Sequence, residues 1–154
     1  MSNLVGRVSN GRGKATERLA ALAEPLERYF GRPHVPGSLN LILDRPIVLC
    51  PRGAVITGPE NRRFWPATLY GVDILCYRYK NCPLHILELV SSRNLRDTFS
   101  LRDGSSIEVH LADRFIRKDA LRLFFWRRVW GGHEIDYFDD AGYRDRISKV
   151  HKWQ

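Results

Sequence analysis

SLNLILDRPIVLCPRGAVITGPENRRFWPATLYGVDILCYRYKNCPLHILELV, residues 38–90, decides the fold. Within it, short runs rich in Leu, Ile, Val and aromatic residues are punctuated every few positions by Pro, Gly, Asn and Asp. That texture predicts strands over Ser38–Leu43, Ile47–Cys50, Gly53–Thr57, Phe64–Tyr70, Val72–Tyr79 and Leu84–Val90, with a further strand at Ser106–Leu111. Asp44–Pro46, Pro51–Gly53, Gly58–Arg62 and Arg102–Gly104 carry the turn chemistry. Pro66 cannot donate to a ladder, so it marks an edge or a bulge.

Upstream, Asn3–Ser9 reads as a strand entering the turn Asn10–Gly13. Thr16–Phe30 (TERLAALAEPLERYF) then puts Leu19, Leu22, Ala23, Leu26, Tyr29 and Phe30 on one stripe of a helix. Thr16 is the expected N-cap and Gly31 the stop, while Pro25 predicts a kink or a break. The expected fold is therefore mainly β with α: many short strands around one amphipathic helix, closing into a small barrel. Ser91–Thr98 reads as a loop or a single helical turn.

Downstream of Leu111 the texture changes. Residues 112–154 hold nine of the 17 aromatic residues. Asp113–Trp130 is compatible with a helix that Gly131-Gly132 would end. The expected organisation is a barrel domain over residues 1–111 and an aromatic-rich, partly helical C-terminal extension over 112–154.

Charge narrows the function less than the pattern does. The chain of 154 residues carries 25 Lys and Arg against 17 Asp and Glu, a formal charge of +8. The excess is dispersed: +5 over residues 1–111 and +3 over 112–154. A basic surface suits nucleic acid, an anionic membrane surface or a nucleoside triphosphate. No apolar run approaches the roughly 20 residues of a membrane helix. The N-terminal residues show no secretory apolar block, so a cytoplasmic location is expected. Cys50, Cys76 and Cys82 form no CxxC pair, and no histidine spacing completes a zinc site; free thiols in a reducing compartment are expected. His85 and His110 read as structural. Trp126, Trp130 and the intervening Arg127-Arg128 could stack on bases, but helical spacing favours a core role.

Three segments carry candidate chemistry. Gly11-Arg12-Gly13-Lys14-Ala15-Thr16 lies between a strand and a helix, where glycines admit an anion close to the backbone; a plain tight turn is the equal alternative. It is neither a Walker A loop nor GxGxxG. In Pro36-Gly37-Ser38-Leu39-Asn40-Leu41, Ser38 and Asn40 share one face of an extended segment. They could offer magnesium two neutral oxygens, or could simply bond a turn. In Ile86–Asp97, Glu88 sits on the face of Ile86 and Val90, and such a carboxylate needs a partner, ligand or backbone. Arg93 and Arg96 could clamp phosphates or be solvated.

In this order the three segments resemble the archaeal-type CTP-dependent riboflavin kinase family, whose pattern runs from a GxGxG-like turn and a helix to Pro-x-x-Gly-Thr-Leu-Asn-Leu. A later segment follows, here LELVSSRNLRDTFSLRDG, which keeps Glu88, Leu95-Arg96, Phe99, Leu101 and Asp103-Gly104 in register. The resemblance spans about residues 4–111 and implies a six-stranded cradle-loop β-barrel. The implied reaction moves the γ-phosphate of CTP to the 5′-hydroxyl of riboflavin, giving FMN and CDP. By position, Gly11, Arg12, Gly13, Lys14, Ala15 and Thr16 would cradle phosphates, and Ser38 and Asn40 would hold Mg²⁺. Glu88 would contact the flavin and serve orientation or general-base catalysis. Arg93, Asn94, Leu95, Arg96, Asp97 and Thr98 would line the nucleotide. Ser38 stands where the family has Thr, Asn10 is an extra residue, Ala15 replaces a glycine, and Lys80 falls near a flavin-contacting Thr of the family. The same barrel acting on another acceptor, or as a non-catalytic nucleotide-binding regulator, is the alternative, and a basic nucleic-acid module a distant third.

Overall fold

The computed structural model describes residues 1–11 and 13–132, together with Gly142, Arg144 and Ser148. Along the chain run β1 (Ser2–Ser9), α1 (Ala15–Ala20), α2 (Ala23–Phe30), β2 (Leu39–Leu43), β3 (Val48–Leu49) and β4 (Ile56–Gly58). They are followed by β5 (Arg62–Leu69), β6 (Val72–Arg78), β7 (Ile86–Val90), α3 (Leu95–Phe99), β8 (Ser106–Leu111), β9 (Ile116–Arg117) and α4 (Ala120–Trp130). Six strands pair antiparallel in the order β5-β6-β7-β2-β1-β8, and β8 returns to β5 through Ala67↔Leu111, Thr68↔His110 and Leu69↔Val109. The barrel is closed, as the strand-rich pattern predicted. β4 adds to the edge of β5, and β3 pairs with β9 in a separate ribbon.

Alternation decides what each face does. Leu41 of β2, Leu87 and Leu89 of β7, Ile74 and Cys76 of β6, and Val109 and Leu111 of β8 fill the interior. The outward apolar residues of β2, β6 and β7, Ile42, Leu75, Ile86 and Val90, are buried too, because helices cover them. Leu19 of α1, Leu22 between the helices and Leu26 of α2 pack on Phe64, Leu75, Tyr77 and Val90. Val129 and Trp130 of α4 pack on Ile42, Ile86 and Cys82.

The expected single helix over Thr16–Phe30 is two. The chain breaks at Ala21–Leu22, and Pro25 is the third residue of α2. A continuous helix would drive the Pro25 ring into the carbonyl of Ala21, four residues back; in a first turn the missing N–H costs nothing. Thr16 is not the N-cap: α1 begins at Ala15 after Lys14, with no side-chain cap. Gly31 does end α2, in the left-handed conformation at φ 70°. Pro66 lies within β5 where only β6 is opposite, between the stretches paired to β4 and to β8, so it occupies a local edge.

The expected helix over Asp113–Trp130 starts only at Ala120, capped by Asp119. Residues 113–117 form a single turn and β9 instead, and Phe115 enters the barrel core. His85 is wholly buried between Trp126 and Trp130 and accepts a 2.8 Å hydrogen bond from Trp126 Nε1. Phe124 and Phe125 face outward, 58% and 42% exposed. The expected part of the extension beyond Gly132, Trp153 included, lies outside the described residues apart from the three positions named above. No helix among the described residues is long and apolar enough to cross a membrane.

Candidate functional site

Strand register assembles the site. Ser9 of β1 opposes Asn40 of β2, Asn40 opposes Glu88 of β7, and Glu88 opposes Tyr77 of β6. The four side chains form one row on the outer face of the barrel. On β7 the row runs between Ile86, covered by α4, and Val90, covered by α1 and α2. Polar residues therefore sit in the gap that the two helical covers leave open.

Two turns close over this row. β1 ends at Ser9, and Gly11 lies so near Asn40 that a Cβ there would collide with the Asn40 amide nitrogen. Gly13 has φ 70°, a conformation that side chains resist. On the other side Gly37, at φ 91°, brings the chain against Thr16: a Cβ on Gly37 would stand 3.4 Å from Thr16 Oγ1. The result is a cavity of about 360 Å³ lined by Asn10, Gly11, Gly13, Lys14, Ala15, Thr16, Arg18, Gly37, Ser38, Asn40, Tyr77, Tyr79, Glu88 and Arg96.

Ser38 Oγ donates a 2.5 Å hydrogen bond to Glu88 Oε2. Glu88 is 7% exposed, and burial raises its pKa above the ordinary carboxylate value; the Ser38 bond and the Arg18 charge pull the other way. Burial, with the Glu88 charge beside it, pushes the Tyr77 hydroxyl up to about 12. Among the described residues that hydroxyl and Arg62 Nε are buried with no well-formed hydrogen bond; Arg62 opposes the shift by its charge and by its approach to the hydroxyl. Asn40 is 9% exposed and its side chain makes no hydrogen bond among the described residues.

The donor set fits a hard cation. Ser38 and Asn40 present neutral oxygens on one face, and an amide that lines the cavity with no hydrogen bond among the described residues is what a ligand would satisfy. No group of three or more His, Cys, Asp or Glu among the described residues could hold a metal, so the phosphates and water would have to complete the shell.

The nucleotide candidates divide. Gly11, Gly13, Lys14, Ala15, Thr16 and Arg96 reach the main cavity. Arg93, Asn94, Leu95 and Arg96 line an adjoining one of about 190 Å³, which shares Gly37, Ser38 and Arg96 with it. Asp97 and Thr98 line neither. Asn94 caps α3 by accepting from the N–H groups of Arg96 and Asp97, and its own amide donates to Asp97 Oδ2 at 2.6 Å. Arg96 is tied to Asp103 Oδ1 at 2.8 Å and to the Ser9 carbonyl. Lys80 stands apart from Glu88, in a third cavity of about 210 Å³ with Arg63, Arg78 and Arg122; Tyr79 lines both that cavity and the main one. Arg12 lies outside the described residues. Sequence reasoning missed Arg18, Tyr77 and Tyr79. Arg18 was discoverable from its i,i+4 spacing to Lys14, whereas Tyr77 needed the strand register.

No family model matches the chain. It is similar to a riboflavin kinase of Staphylothermus marinus, 26% identical over 121 residues, covering 71% of this chain and 92% of that protein. It is also similar to a riboflavin kinase of Haloquadratum walsbyi, 30% identical over 130 residues, covering 70% of this chain and 56% of that one. A riboflavin kinase of Methanocella arvoryzae is 31% identical over 86 residues, 49% of this chain and 40% of its own length. The chain thus spans nearly all of the first relative and about half or less of the other two.

Proposed function

We propose that this chain, which belongs to the riboflavin kinase family, transfers the γ-phosphoryl group of CTP to the 5′-hydroxyl of riboflavin, in the cytoplasm. The observation that carries the reading is the convergence of the glycine turn, the Ser38–Asn40 pair and Glu88 on one cavity. Three stretches far apart in sequence share a cleft whose size and lining suit a metal-bound triphosphate.

Phosphoryl transfer depends on positioning and charge stabilisation more than on covalent chemistry. The Gly11–Thr16 turn would carry the phosphates, with Lys14 supplying charge. The 93–98 segment would line the nucleoside through Arg93, Asn94, Leu95 and Arg96, with Asp97 acting indirectly by holding Asn94. Magnesium held by Ser38 Oγ and Asn40 Oδ1 would neutralise phosphate charge. Ser38 donates its hydroxyl hydrogen to Glu88, so its lone pairs stay free for a cation. Glu88 thereby orients Ser38 through Oε2, and Oε1 is left to orient the flavin hydroxyl and take its proton. A flavin reaching from Glu88 to Lys80 would cross Tyr79, which borders both cavities.

The test mixes the protein with riboflavin, Mg²⁺ and each of CTP, ATP, GTP and UTP, and follows FMN by chromatography. FMN formed fastest with CTP is expected. FMN formed preferentially from ATP would overturn the donor assignment alone. No FMN from any nucleotide, with CTP bound in calorimetry and riboflavin not bound, would favour a regulator built on the same barrel.

A further inference from the structure

Lys14 and Arg18 stand four residues apart at the start of α1, so one helix face presents both to the cavity. Their settings differ. Lys14 is exposed, whereas Arg18 is half-buried and its guanidinium lies over the Tyr79 ring, 5.6 Å from the centroid. Arg96, the other cation lining the cavity among the described residues, is already paired with Asp103. Arg18 makes no ion pair and no side-chain hydrogen bond among the described residues. Its charge still reaches Glu88 and Tyr77 in the outer-face row.

An arginine held by an aromatic platform, with its fork uncommitted among the described residues, is available to an anionic ligand in the cavity. A planar guanidinium matches the oxygens of a phosphoryl group in a way an ammonium does not. Arg18 borders the cavity over Tyr79, which also borders the Lys80 cavity, and its charge acts on Glu88, the carboxylate of the proposed acceptor side.

We propose that Arg18 is a catalytic residue, its guanidinium contacting the transferring γ-phosphoryl group and stabilising the charge that develops there. This rests on the kinase reading above. In the step, the riboflavin 5′-hydroxyl oxygen bonds to the γ-phosphorus as the bond from that phosphorus to the β–γ bridging oxygen breaks. The electron pair of the broken bond leaves with CDP, and the hydroxyl proton goes to the Glu88 carboxylate. Arg18 neither gives nor takes a proton.

The experiment compares wild type with Arg18→Gln and Arg18→Lys. kcat for FMN formation is measured beside the calorimetric Kd of MgCTP and the Kd of MgCDP with fluoroaluminate and riboflavin, a mimic of the transferring group. Arg18→Gln is expected to lower kcat by about 10²- to 10³-fold, leave the MgCTP Kd within about threefold, and abolish the tightening that fluoroaluminate gives wild type. Arg18→Lys is expected to fall between the two, and guanidinium ion, not ammonium, to rescue Arg18→Gln in part. A wild-type kcat in Arg18→Gln would overturn the assignment, as would a loss confined to the MgCTP Kd. If Arg18→Gln does not fold, Arg18→Lys decides by the same fluoroaluminate measurement. Absence of FMN with wild type would overturn the kinase reading and Arg18 with it, whereas active wild type and active Arg18→Gln overturn Arg18 alone.

Discussion

Replacing Gly11 with alanine perturbs the proposed metal ligand Asn40 without substituting it. Gly11 does not have positive φ, so alanine meets no backbone strain there. The added methyl would collide with the Asn40 amide, the end of a side chain and not backbone. Ordinary contact requires the amide to move by about 1 Å, a misplacement that costs up to about 10²-fold when it falls on a reacting group. Disturbing a neighbour that orients a metal ligand costs about 10- to 100-fold in metal affinity. Gly11→Ala is therefore expected to raise the Mg²⁺ concentration for half-maximal FMN formation about 10- to 100-fold, with most of kcat recovered at saturating Mg²⁺. Its urea midpoint should barely change. Gly13→Ala is the control: its φ of 70° strains alanine, and nothing lies within 4 Å of the new methyl. It should cost about 1 kcal/mol of stability and leave the Mg²⁺ dependence alone. The assay is FMN formation against Mg²⁺, paired with urea unfolding of each variant. An unaltered Mg²⁺ dependence in Gly11→Ala would refute Asn40 as the ligand.

Three further expectations concern the buried polar groups. Burial raises the Glu88 pKa, so its contribution to stability is full below the unfolded value near 4.5 and is lost as pH rises through the folded value. Glu88→Gln should accordingly gain on wild type in urea unfolding between about pH 4 and about pH 8; a difference that stays constant or reverses contradicts this. Arg78 is 7% exposed and donates to the carbonyls of Ile86, Ile47 and Leu84, at 2.9, 2.8 and 2.7 Å. Arg78→Met removes three donors, although the Leu84 carbonyl keeps the Ile47 N–H, and should cost about 1–3 kcal/mol, read from denaturant unfolding; no measurable loss would show that water replaces the guanidinium. Trp126→Phe removes the donor to buried His85 and should cost about 1–3 kcal/mol while leaving the Mg²⁺ dependence unchanged.

The barrel was legible because β-sheet alternation is local: every expected strand between Ser38 and Leu111 has a counterpart, displaced by at most a few residues. The split of the helix was half-legible, since Pro25 announced a break but its place follows from the carbonyl four residues earlier. The tail misled for a different reason. Phe115 and Ile116 fit a helical spacing, yet barrel packing and the β3 ribbon claim them, and tertiary contact overrides a periodicity of two points.

The site was ambiguous segment by segment because its meaning lies in pairs. Ser38 and Asn40 alone fit a turn as well as a metal, and Glu88 alone needed only some donor. Register adds what the segments lack: Asn40 faces Glu88 directly, and Ser38, one step along the same face, reaches the same carboxylate. No local pattern encodes that pairing, because 48 positions separate Asn40 from Glu88 and only strand order joins them. Tyr77 was invisible on the same ground, as its aromatic ring reads as core and half of it is: it stacks on Phe64 at 4.8 Å while its hydroxyl borders the Glu88 row. Lys80 shows the converse. The resemblance set it near a flavin-contacting position, one residue past the expected strand Val72–Tyr79, but β6 ends at Arg78, and the turn through Asn81, with φ 63°, carries Lys80 into another cavity. A residue beyond a strand's end no longer inherits the strand's facing: Ser38, one residue before β2, still meets Glu88 because the Gly37 turn aims it there, whereas the turn after β6 aims Lys80 elsewhere.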